Sequence, residues 1–70
     1  MELSRNTFEV LNHLRKQPGS SQRDISAATG LSLGTVNKAV KQLGEESLID
    51  AGEVTPQGYE MLHPYKVDNA

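Results

Sequence analysis

The side chains best suited to chemistry in this sequence lie in one stretch: Gly34, Thr35, Asn37, Lys38, Lys41 and Gln42. They offer ammonium groups, amide edges and a hydroxyl, which is the inventory that pairs with phosphates and with the edges of nucleic-acid bases. At about 100° per residue, a helix that turns Val36, Val40 and Leu43 inward points Gly34, Lys38 and Lys41 directly away. Thr35 and Gln42 flank one side of that outer face and Asn37 the other. Lys38 and Lys41 suit phosphate or guanine, Asn37 and Gln42 suit amide pairing with adenine, and Thr35 suits a methyl group or a phosphate. Gly34 permits close approach near the helix start, where free backbone N–H groups bind phosphate. Ser32 at that start, and Ser21 at the start of the preceding helix, complete the candidate set. Between Ser32 and Leu43 there are two positive charges and no negative one. The same residues also describe an ordinary solvated helix face, so context has to decide.

Other chemistries find no support. His13 and His63 are far apart in sequence and lack the neighbouring ligands of a metal site. Glu45 and Glu46 are adjacent and cannot face one another as a catalytic pair; they solvate a helix end. There is no Ser-His-Asp arrangement and no glycine-rich phosphate loop. The expectation is a binding module with no enzyme activity, cofactor or metal. Net charge is −2 with a pI near 5.5, which argues against indiscriminate nucleic-acid binding, since that is mostly phosphate neutralisation. The absence of Cys fits a reducing compartment, and no apolar run of roughly 18 residues or charged-then-apolar leader is present. A cytoplasmic protein without membrane contact is expected.

The elements that must position the set follow from periodicity and punctuation. Phe8, Leu11 and Leu14, with Val10 beside them, predict a helix from about Ser4, its N-cap, to Lys16, stopped by Pro18-Gly19. Ser21 with Asp24 three residues later predicts a second helix, with Ile25 and Ala28 inward and a left-handed Gly30 at its end. Ser32 caps a third helix reaching roughly Glu46, its stripe Val36, Val40 and Leu43. Leu48-Ile49 and Glu53-Val54 predict a small hairpin around Ala51-Gly52, and Thr55-Pro56 opens a last helix with Tyr59 and Leu62 inward. The predicted core is Phe8, Leu11, Leu14, Ile25, Leu31, Val36, Val40, Leu43, Leu48 and Leu62. The fold class expected is mainly α with a small β-hairpin.

Two short helices joined by a Gly-containing turn and followed by a hairpin describe a winged helix-turn-helix, a three-helix core plus short wing and C-terminal helix. The run Ile25-Ser26-Ala27-Ala28-Thr29-Gly30-Leu31-Ser32-Leu33-Gly34-Thr35-Val36-Asn37-Lys38 resembles the helix-turn-helix of bacterial winged-helix regulators of the MarR type. Leu43 to Leu48-Ile49 is similar to that family's passage into the wing, and Thr55-Pro56-Gln57-Gly58-Tyr59 to the start of its next helix. The resemblance covers about residues 20–62 and implies double-stranded DNA as partner, with the third helix in the major groove. Three departures stand out. Ser47 occupies a position where the family has Gly, so a left-handed backbone there carries a steric cost. Ser26 replaces a small Ala and needs a hydrogen-bond partner if buried. Asp50-Ala51-Gly52-Glu53 supplies carboxylates where a wing would offer Arg or Lys.

Residues 1–63 are expected to form the domain and 64–70 a linker or tail leading to a further domain. Tyr65-Lys66-Val67-Asp68-Asn69-Ala70 resembles the approach to the first strand of bacterial sugar-phosphate or choline-phosphate nucleotidyltransferases, some of which carry an N-terminal winged helix. Two readings therefore stand side by side: a DNA-binding module of a transcription regulator, or a non-DNA-binding regulatory module appended to such an enzyme. These 70 residues leave no room for the extra dimer-forming helices of MarR-type repressors. A specific dimer buries about 1,200–2,000 Å², a large demand on so small a surface. Sedimentation at micromolar concentration should show a monomer or weak dimer; a tight dimer would contradict this.

Overall fold

Serines start the first three helices, each taking an orphan backbone N–H that the first turn leaves without a partner. The Oγ of Ser4 accepts from Thr7 N at 3.2 Å, that of Ser21 from Asp24 N at 3.0 Å, and that of Ser32 from Thr35 N at 3.1 Å. The computed structural model describes residues 3–62. The elements are α1 (Arg5–Lys16), α2 (Gln22–Thr29), α3 (Leu33–Glu45), β1 (Ile49–Asp50), β2 (Glu53–Val54) and α4 (Pro56–Leu62). The strands pair antiparallel, Ile49 opposite Val54 and Asp50 opposite Glu53. This is the mostly helical architecture with a two-stranded hairpin that the sequence predicts. The readings on His63 and on the 64–70 segment lie outside the described residues.

α1 and α3 form the centre, with α2 packed across both, and the hairpin and α4 close the remaining side against α1. The core joins Leu3, Val10, Leu11 and Leu14 to Ile25, to Val36, Ala39 and Leu43, and to Leu48, Ile49 and Leu62. Of the predicted core, Phe8, Leu31 and Val40 are only partly buried and pack against its rim. Ala39, not Val40, completes the inward stripe of α3, which packs chiefly on α1, while Val40 sits at the rim of the core. Ala28 is exposed: the short α2 turns only Ile25 fully inward. Tyr59 is 50% exposed, and Gly58 takes its place on the inner face of α4.

The reason lies where α3 ends. Leu48 N bonds to Leu43 O at 2.9 Å and Ser47 N to Gly44 O at 3.1 Å, a Schellman closure with Ser47 in the left-handed position at φ 61°. Ser47 O then accepts from Thr55 Oγ1 at 2.7 Å and Leu48 O from Thr55 N at 3.0 Å. The Thr55 hydroxyl also caps α4 by accepting from Gly58 N at 3.1 Å. Gly58 sits so tightly against the Leu48 carbonyl that a Cβ there would overlap it and lie 2.8 Å from Val54 Cγ1. The inner face of α4 at that point therefore has room for no side chain. Ser26 finds the partner it needs, donating to Leu31 O across the α2–α3 turn.

Two substitutions test this junction by thermal unfolding. Ser47→Gly removes the left-handed penalty but loosens the unfolded chain, for a net gain of roughly 0.5–1 kcal/mol and a rise in Tm of about 4 °C. Gly58→Ala should lose roughly 1–3 kcal/mol, because the obstacle is backbone and not a movable side chain. An unchanged Tm in both variants would show that the junction does not limit stability.

Candidate nucleic-acid interface

With Val36, Ala39 and Leu43 inward, the outer face of α3 is rotated by about 30° from the one that a Val36–Val40–Leu43 stripe gives. Gly34 and Lys41 lie near its centre, Asn37 and Lys38 on either side of it, and Glu45 at its C-terminal end. Thr35 and Gln42 move toward the α1 side. Gln42 is exposed, yet its Oε1 accepts a long 3.4 Å hydrogen bond from the buried Thr7 hydroxyl of α1. Thr35 is half-buried, and its Oγ1 accepts from Ser32 Oγ at 2.9 Å. Lys38 and Lys41 are exposed and form no ion pair among the described residues, where Arg5 pairs with Glu9. Gly34 faces open space, so a flat polymer backbone meets no side chain there.

The other edge of the face belongs to α2. Asn37 Nδ2 donates to Gln22 Oε1 at 3.2 Å, joining the exposed side of α3 to the first residue of α2. Arg23 follows, exposed, in the same first turn. The candidate set from the sequence is thus spread along α3 from Ser32 to Gln42, with Ser21 at the start of α2, and not all of it is free. The hydroxyls of Ser21 and Ser32 are engaged as caps, each accepting a backbone N–H of the first turn of its own helix. Gln22 and Arg23 are additions that the sequence reasoning missed. A polar residue and a cation directly after the Ser21 cap were the available signal, since helix N-termini favour anions.

The wing follows a different logic. Ala51 at φ 54° and Gly52 at φ 83° make a two-residue turn with both central residues left-handed, as a type I′ hairpin requires. Its tip does not project freely: Gly19 N donates to Gly52 O at 3.0 Å, tying the turn to the loop after α1. Asp50 and Glu53, both exposed, are directly opposite across the strands, an arrangement in which like charges repel. Among the described residues no group of three or more His, Cys, Asp or Glu could hold a metal ion, and no helix is long and apolar enough to cross a membrane.

A left-handed Gly30 between two capped helices, a third helix with a basic and amide-bearing outer face, and a short hairpin behind it define a winged helix-turn-helix. The chain belongs to the winged helix-turn-helix DNA-binding family, whose model matches residues 3–50. The matched span takes in α1, α2, α3 and β1, while β2 and α4 lie beyond it. No curated protein and no solved structure matches the chain.

Glu53→Lys is expected to act twice. It replaces the repulsion with Asp50 by attraction, adding roughly 0.2–1 kcal/mol of stability at low salt. It also places a cation on the wing, so affinity for duplex DNA should rise. Thermal unfolding and a DNA titration read the two effects separately; gain in stability without gain in affinity would place the wing away from the bound duplex.

Proposed function

We propose that this chain is the DNA-binding module of a bacterial transcription regulator of the MarR-like kind, acting in the cytoplasm, with α3 in the major groove. The observation that carries the reading is the exposed, unpaired Lys38 and Lys41 on one face of α3, beside the open Gly34. Lys38 and Lys41 supply phosphate contacts, Asn37 meets a base edge, and the start of α3 around Ser32, Gly34 and Thr35 approaches the backbone. Ser21 and the start of α2 reach the neighbouring phosphates, and Gln42 supports the α1 side. The wing brings no cation, so the isolated chain, a monomer or weak dimer, binds double-stranded DNA weakly, near the ~10⁻⁴–10⁻⁶ M of non-specific complexes. Residues 64–70 then serve as a linker to a further domain.

A second reading keeps the fold and drops the DNA: a regulatory or protein-contact module on an enzyme such as a nucleotidyltransferase. The tethered wing and the Asp50–Glu53 pair favour it, because both withhold what a minor groove attracts. The test is a titration of duplex DNA followed by amide shifts at several salt concentrations. Shifts confined to Ser32–Gln42 and the start of α2, with a salt slope that falls by up to ~2 in the Lys38→Ala/Lys41→Ala variant, support the regulator. Absence of shifts at low salt, or the same slope in the double variant, moves the assignment to the appended module. Both lysines are solvent-exposed, so the variant is expected to keep the fold.

A further inference from the structure

The amide pair between α2 and α3 carries more than packing. Asn37 is exposed on α3, and a free asparagine there would turn either end of its amide toward a ligand. In the structure Gln22 engages one end of that amide: its Oε1 accepts from Asn37 Nδ2 at 3.2 Å. In that arrangement Asn37 keeps Oδ1 as an acceptor and one further N–H as a donor for a ligand. In the major groove that pattern complements adenine, whose N6 amino group donates and whose N7 accepts; guanine offers two acceptors, O6 and N7, and would oppose Oδ1.

We infer that Gln22 is a positioning residue for base selection, holding the Asn37 amide in the orientation that prefers adenine in the major groove. This rests on the DNA-binding reading above and adds a residue outside the recognition helix. Gln22 is half-buried in the first turn of α2, and no hydrogen bond other than the one to Asn37 engages its side chain among the described residues. Preorganising the amide before binding removes a rotamer choice that would otherwise be settled on the DNA.

The experiment titrates the chain at low salt with short duplexes of alternating A·T pairs, of alternating G·C pairs, and of A·T pairs in which 7-deazaadenine replaces adenine. The last removes the N7 acceptor and leaves the minor groove unchanged. The wild-type chain should favour A·T over G·C by about tenfold, and the deaza duplex should lose most of that preference. Gln22→Ala and Asn37→Ala should each bring the ratio near one, while Gln22→Glu, whose carboxylate still accepts from Nδ2, should keep the ratio at lower overall affinity. Equal wild-type affinity for the three duplexes, or an undiminished ratio in Gln22→Ala or Asn37→Ala, overturns the inference while leaving DNA binding intact. Failure to bind any duplex overturns the DNA-binding reading itself and this inference with it.

Discussion

The burial of Val36, Ala39 and Leu43 of α3 against Val10, Leu11 and Leu14 of α1 determines what this protein can present to a partner. A chain this small has little apolar surface to bury and no disulfide to help, so a single helix pair supplies most of the core. That pair sets the rotation of α3 about its own axis. Because Ala39 rather than Val40 meets α1, the face left to solvent carries Gly34, Asn37, Lys38 and Lys41 together. Two side-chain hydrogen bonds then pin its margins, Thr7 to Gln42 on the α1 side and Asn37 to Gln22 on the α2 side. The exposed polar face of α3 is thus a consequence of core packing, held at both edges by polar contacts.

The other end of α3 uses strain to achieve a sharp change of direction. A left-handed Ser47 lets the helix close its last carbonyls and release the chain into β1. Thr55 then bonds back to both Ser47 and Leu48, and Gly58 fits against the Leu48 carbonyl. These contacts bring the hairpin and α4 back onto α1, where Leu62 and Ile49 complete the core. The same economy limits the wing. Its two-residue turn is tied to Gly19, and its paired carboxylates face each other, so the wing adds no positive charge to that of the helices.

Much of this was legible in the residues. Ser4, Ser21 and Ser32 announce the helix starts, Gly30 the turn between α2 and α3, and Thr55-Pro56 the last helix, because caps and left-handed turns are local chemistry read within four residues. The left-handed strain at Ser47 was also readable, as was the missing basic wing. The outer face of α3 was located by periodicity alone, though not its rotation. Where Val40 and Ala39 compete for the core, or Tyr59 and Gly58 for the inner face of α4, hydropathy favours the larger side chain. Tertiary structure decided otherwise: α3 packs with Ala39 inward, and the Leu48 carbonyl leaves space for no side chain at Gly58. The tether from Gly19 to Gly52 and the bond from Asn37 to Gln22 join residues 33 and 15 positions apart, contacts that no local pattern encodes. Sequence by itself determined the elements, their order and the residue types available for binding. Only the packed structure decided which of those side chains are free, which are held, and by what.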